Sequence, residues 1–157
     1  MTVIRRATPE DAARLLELQL ALDKESTFML LEPGERQGAV EVVEPSFLLL
    51  AVDEGGPAAG YVHVDVMPYA RARRTGYVVM GVRAASAGKG LGKALLARAA
   101  EEAQTAGLVR LELTVMCHNR KALNLYLSSG YQVEGLRRSA LDVDGRRVDE
   151  YYMGVTY

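Results

Sequence analysis

Ala87-Gly88-Lys89-Gly90-Leu91-Gly92-Lys93 is the stretch on which the fold of this chain turns. It follows an apolar run, Gly76 to Val82, that reads as a strand, and it opens a segment from about Leu91 to Ala106 that carries the apolar spacing of a long helix stopped by Gly107. Three side chains reduced to hydrogen let a ligand approach the backbone. The free N–H groups of the helix's first turn add the positive end of its dipole, so the segment is a candidate anion cradle, with Lys89 and Lys93 placed to add charge at its rim. Two better-known phosphate motifs do not fit. A Walker loop would need a glycine at Ala87 and a Ser or Thr at Ala94, and the spacing Gly88, Gly90, Gly92 is not that of a dinucleotide fingerprint. The alternative is a glycine-rich helix entry that holds nothing.

A second segment lies downstream. Asn119-Arg120-Lys121-Ala122-Leu123-Asn124-Leu125-Tyr126 is followed by Ser129-Gly130-Tyr131. Gly88 to Leu96 resembles the acetyl-CoA pyrophosphate motif of the GNAT superfamily of N-acetyltransferases, and Asn119 to Tyr131 resembles that family's N-x-x-A-x-x-L-Y-x-x-x-G-F/Y segment at the expected distance. The resemblance runs from about Gly76 to the C-terminus. Phe28 to Arg36 and the hairpin Glu134 to Met153 resemble a subgroup of largely unassigned bacterial members, while residues 37–75 correspond in element order alone. Ala87 departs from the family, which usually carries Arg or Gln there, so one side-chain contact to the cofactor is lost while the backbone amides remain.

Working outward, Thr2 to Arg6 reads as a strand, and Thr8-Pro9-Glu10-Asp11 starts a helix that carries five leucines between Leu15 and Leu22 and runs to about Lys24. Pro33-Gly34 breaks the chain, and Glu35 to Val43 is read as a possible second helix. Phe47 to Asp53 and Ala58 to Met67 are two antiparallel strands around Glu54-Gly55-Gly56. Leu108 to Met116 is a buried strand, Arg120 to Ser129 a short helix, and Tyr131 onward a final hairpin turned at Asp144-Gly145. The expectation is one α/β domain of α+β type over residues 1–157. The resemblance implies a central mixed, mostly antiparallel sheet of about seven strands flanked by about four helices, with a V-shaped opening between the strand ending near Val82 and the strand ending near Met116.

Amide formation from a thioester needs a neutral amine, a polarised carbonyl and a proton for the departing thiolate. Tyr126 matches the family's general-acid position, and a phenol with a pKa near 10 stays protonated at neutral pH; outside that context it would read as a core aromatic. A backbone N–H of Met80-Gly81-Val82 is placed to face the carbonyl where its strand splays from the next. The same edge resembles the family's docking site for the pantetheine amides, the alternative being an ordinary buried strand. Asn119 corresponds to a family residue that bonds the cofactor arm, or is simply a helix cap. The resemblance thus implies a cofactor site of Met80, Gly81, Val82, Gly88, Lys89, Gly90, Leu91, Gly92, Lys93, Asn119 and Tyr126, with acetyl-CoA as co-substrate. In the ribosomal-protein alanine acetyltransferase branch a glutamate lies five residues before the asparagine, where this chain has Thr114. Glu112, two residues earlier on the same strand face, is therefore the candidate base acting through water, or else a salt-bridged strand residue paired with Arg110 or Arg138; Asp65 and Glu150 are reserves.

The bulk composition agrees with a packed enzyme-sized domain: 157 residues, 49% hydrophobic and 25% charged. A net charge of −1 supplies no global field for nucleic acid or an anionic membrane, and the short Arg71, Arg73, Arg74 loop lacks the interleaved aromatics of a nucleic-acid surface. A lone cysteine, Cys117, has no intramolecular disulfide partner and no neighbouring nucleophile motif, and no cluster of metal-ligand spacing surrounds it. No apolar run approaches the roughly 20 residues of a spanning helix. The expectations that follow are a cytoplasmic acetyltransferase with no metal, no nucleic-acid or membrane partner, a small-molecule or peptide amine as acceptor, and a homodimer paired through the final hairpin. The competing reading is a sensor that binds acyl-CoA and transfers nothing.

Overall fold

Thr2–Arg6 forms strand β1 in the computed structural model, which describes residues 1–157. Thr8 opens the next element: its backbone N–H donates to the Asp11 carboxylate at 2.8 Å, closing a single 3-10 turn, Pro9–Asp11, that leads into helix α1, Ala12–Glu25. Asp11 is buried and also accepts from Arg5 at 2.8 and 2.9 Å and from Arg14 at 3.2 Å. The Arg5 hydrogen bonds, more than the opposing desolvation, hold its carboxyl well below the usual carboxylate range. Because the folded pKa lies below the unfolded one, the stabilisation is present above about pH 4 and lost as pH falls through the folded value. Asp11→Asn is therefore expected to lower the unfolding free energy by about 2 kcal/mol at neutral pH, with the gap to the unmutated protein narrowing in denaturant titrations at progressively lower pH.

Strands β2 (Phe47–Asp53), β3 (Ala58–Val66), β4 (Thr75–Val82), β5 (Arg110–Met116), β6 (Gln132–Val143) and β7 (Arg146–Thr156) complete a seven-stranded sheet in the order β1-β2-β3-β4-β5-β7-β6. Every neighbouring pair is antiparallel except β4 and β5. That parallel pair is the weak seam. It is in register only at Thr75, Gly76 and Tyr77 against Arg110, Leu111 and Glu112, and beyond those residues the two strands part into the expected V. The β6–β7 hairpin turns at Asp144 and Gly145, whose φ angles of 50° and 76° are those of the turn that matches strand twist.

Alternation along the strands sends side chains to two cores. Phe47, Leu49, Ala51, Val62, Val64, Val78, Leu111, Leu113 and Val115 face helix α2 (Leu91–Thr105) and the partly buried residues of α3 (Arg120–Ser128). Leu48, Leu50, Val52 and Tyr61 face Leu15, Leu18 and Leu22 of α1. The helix α1 packs on the β2–β3 side, so the opposite face of β5, β7 and β6 carries no helix.

One expectation fails. Glu35 to Val43 forms no helix, so three α-helices and two 3-10 turns flank the sheet instead of about four helices. The reason is tertiary. Arg36 is drawn onto the buried Asp23 of α1 through two bonds of 2.8 and 3.0 Å, and the Val40 N–H donates to the Gln19 side chain at 3.2 Å. Contacts to α1 take the place of the i−4 carbonyl ladder.

Candidate active site

The glycine turn is built as its composition suggests. A 3-10 turn, Ala84–Ser86, ends in extended Ala87. Gly88 and Gly90 then take φ of 77° and 78°, a left-handed conformation that side chains with a Cβ resist, and α2 begins at Leu91. The first bond along the helix runs from the Ala94 N–H to the Gly90 carbonyl at 3.0 Å, and the amides of residues 88–93 make no backbone hydrogen bond. A Cβ placed at Gly88 or Gly90 would meet nothing within 4 Å, so the space over these amides is open. Lys89 and Lys93 are exposed beside it. A row of free donors at a helix N-terminus, flanked by two cations and open to solvent, fits a diphosphate.

Gly92 brings α2 against α3: a Cβ there would come within 3.0 Å of Leu125 and 3.8 Å of Met80. Asn119 caps α3, its Oδ1 accepting from the Ala122 N–H at 3.3 Å, so the capping alternative describes what that oxygen does. Half-buried Tyr126 packs on the α2-side core with its ring 6.0 Å from that of Tyr131. Burial pushes its phenol well above the ordinary value, with smaller contributions from the phenols of Tyr77 and Tyr61 across the sheet. The group stays protonated at any working pH. Tyr131 lies behind it with a buried hydroxyl that has no hydrogen-bond partner. Tyr131→Phe is accordingly expected to raise stability by about 1 kcal/mol, read as a higher thermal midpoint, because the desolvation cost of that hydroxyl disappears.

Along β4, Met80 and Val82 pack against the α2-side core, whereas Gly81 faces α1, where a Cβ would fall 2.6 Å from Leu22. From Val78 onward the β5-facing edge of β4 has no strand partner. Glu112 sits at the foot of the V, but its Oε2 lies 3.0 Å from the Arg110 guanidinium, which also binds Glu134 at 2.6 Å. Arg110 is the partner, not Arg138, so the salt-bridged alternative describes what the Glu112 carboxylate does. Glu150 is buried on Arg137 at 2.7 Å. Asp65 is exposed and accepts from the Ser46 hydroxyl at 3.1 Å. His63 is buried on the same face, and exposed His118 stacks on Phe28 with ring centroids 5.1 Å apart. Burial raises the Cys117 thiol above its usual pKa, the reverse of nucleophile activation. One contact went unread in the sequence: the Tyr77 hydroxyl lies 2.7 Å from Thr114 Oγ1, bridging β4 and β5 from their last registered pair, Tyr77 and Glu112, to the residue two positions beyond Glu112.

The architecture is matched in known proteins. A family model described as the acetyltransferase (GNAT) family covers residues 11–131. This chain belongs to the GNAT family. Among relatives, YwnH of Bacillus subtilis strain 168, provisionally named a phosphinothricin acetyltransferase, is 30% identical over 109 residues, which are 68% of this chain and 66% of that protein. The match thus spans just under two thirds of the relative's length. A GNAT acetyltransferase structure from Streptococcus pneumoniae superimposes over 100% of both chains with a TM-score of 0.91 at 28% identity. The GNAT phosphinothricin acetyltransferase of Sinorhizobium meliloti, solved in complex with AcCoA, has a TM-score of 0.83 at 18% identity, covering 99% of this chain and 88% of that one. At that identity it speaks for the fold alone.

Proposed function

We propose that this GNAT chain transfers an acetyl group from acetyl-CoA to a primary amine by direct attack on the thioester, without an acyl-enzyme. The observation that carries the reading is the run of unpaired amides at residues 88–93, set across the α2–α3 seam from Tyr126. Those amides, with Lys89 and Lys93, would hold the diphosphate. The open β4 edge at Met80 to Val82 would receive the pantetheine amides and direct an N–H at the carbonyl. Asn119, its oxygen committed to the cap, would offer its amide nitrogen to the arm. The thioester supplies an activated acyl group. Tyr126, kept protonated by burial, gives its proton to the leaving thiolate. An acyl-enzyme is unnecessary, and the raised Cys117 thiol is ill-suited to form one.

The name of YwnH makes a small-molecule amine the first acceptor class to screen, ahead of peptide N-termini. We further place the enzyme in the cytoplasm, where its single thiol stays reduced, and as a homodimer joined through the outer strand β6, which exposes Val133 and Leu136. The test of the activity is a thiol-release screen with acetyl-CoA across amino acids, polyamines, small antibiotics and peptides. Amine-dependent release with at least one class is expected, and release with none would leave only the sensor.

A further inference from the structure

The sheet alone does not fix the width of the V at its open end. Strands β4 and β5 share no registered pair beyond Tyr77 and Glu112, and the Tyr77–Thr114 hydroxyl contact lies nearer the closed end. On the α2 side the two legs meet where Gly92 packs on Leu125. On the α1 side they are joined by four consecutive residues, Glu25 to Phe28, at the point where α1 ends.

Glu25 reaches the β4 leg. One carboxylate oxygen accepts from the Ala84 N–H at 3.0 Å and the other from the Arg83 Nε at 2.7 Å, just past the end of β4 and at the start of the 3-10 turn that leads into the glycine turn. Chiefly the Ala84 N–H, against desolvation and with help from Arg83, holds this carboxyl below the usual carboxylate range. A negative charge on the last residue of a helix opposes the dipole, which favours a cation there. Its placement is explained by what it binds outside α1. Leu22, one turn earlier, lies over Gly81, so the last turn of α1 rests on the same leg.

Phe28 reaches the β5 leg. Its ring stacks on His118 with centroids 5.1 Å apart, and His118 stands in the β5–α3 connection one residue before the Asn119 cap. The link between the two ends is short and stiff. Three residues of chain span about 10 Å at most. The segment is also folded on itself, the Ser26 N–H donating to the Leu22 carbonyl at 3.0 Å and the Phe28 N–H to Ser26 Oγ at 3.0 Å. Wider separation of the legs therefore breaks a contact at one end.

We infer that Glu25 and Phe28 are positioning residues that clasp the two legs of the V at the width where the glycine turn and Tyr126 engage the same acetyl-CoA. The inference rests on the acetyltransferase reading above, because diphosphate and thioester are what the two legs must reach at once. Neither residue touches the cofactor in this scheme; each acts through the leg it holds.

The test combines calorimetry with acetyl-CoA, well below the thermal midpoint of each variant, and hydrogen exchange of the ligand-free protein. Glu25 and Phe28 are both exposed, so their replacement leaves the core intact. Glu25→Ala and Phe28→Ala are each expected to weaken acetyl-CoA binding about tenfold, since a displaced leg loses contacts that depend on geometry. His118→Ala removes the other half of the stacked pair and is expected to match Phe28→Ala. The Glu25→Ala, Phe28→Ala double variant is expected to bind no more weakly than the worse single one, because a clasp released at either end is released altogether. Glu25→Gln keeps an oxygen for the Ala84 N–H and Phe28→Tyr keeps the ring, so both are expected to retain most of the affinity. Without ligand, Phe28→Ala is expected to speed exchange of the Ala84 amide about tenfold, although the ring it removes is stacked on the other leg. Unaltered affinity in the alanine variants, additive losses, or an Ala84 amide indifferent to Phe28 would overturn the inference alone. Failure of the unmutated protein to bind acetyl-CoA would remove the acetyltransferase reading and this inference together.

Discussion

Tyr126→Phe is expected to lower kcat by about a thousandfold while leaving the affinity for acetyl-CoA within roughly threefold. The change removes one oxygen from a ring that packs on the α2-side core, and the ring itself keeps its contacts with that core and with Tyr131. Folding is therefore unaffected. What is lost is the proton offered to the thiolate, and loss of a placed general acid costs on the order of a hundredfold to ten-thousandfold. The raised phenol pKa sets a second signature, because a group that stays protonated to high pH imposes no loss of rate on the alkaline side of the profile. Rate measurements between pH 7 and 9.5 should rise and level with amine deprotonation, without a descending limb from Tyr126. A variant retaining most of its kcat would show that water protonates the thiolate and that Tyr126 is a core aromatic.

Gly90→Val is expected to weaken acetyl-CoA binding by about a hundredfold with little change in thermal stability. Gly90 holds φ at 78°, where a β-branched residue is strained by about 1–3 kcal/mol. No neighbour lies within 4 Å of a Cβ there, so the substitution clashes with nothing in the fold. The strain is relieved by rotating the turn, and rotating the turn turns away the amides of residues 88–93. Charge alone cannot compensate, since Lys89 and Lys93 attract the phosphates without fixing their position. Titrating the variant with acetyl-CoA by calorimetry, alongside its thermal midpoint, separates the effects. Unaltered affinity would show that the diphosphate does not rest on this turn.

The parts that were legible in the sequence are those whose signals are local. The glycine turn and α2 lie within twenty consecutive residues, and strands β2 and β5 announce themselves by apolar composition; the structure sets their ends within two residues of the expected ones. The Asn119 to Tyr131 segment likewise carries its cap, helix and stop in one piece. The failures are long-range. Residues 35–43 have enough helix-compatible side chains to suggest a helix, but Arg36 is claimed by Asp23, 13 residues earlier, and Val40 by Gln19, 21 residues earlier. Glu112 was singled out by alternation along its strand, which says which face it occupies and nothing about Arg110 or Glu134 beside it. The Tyr77–Thr114 bridge joins residues 37 apart and depends on the short register between β4 and β5, which no periodicity in either strand specifies. Core positions follow from pattern, whereas the α1 side of the V is made of contacts between segments.

The account depends on a diphosphate resting against the free amides at the start of α2. Calorimetric titration of the folded, unmutated protein with acetyl-CoA measures this directly. The predicted result is saturable binding of one acetyl-CoA per chain, displaced competitively by CoA. No heat and no competition at millimolar ligand would contradict it.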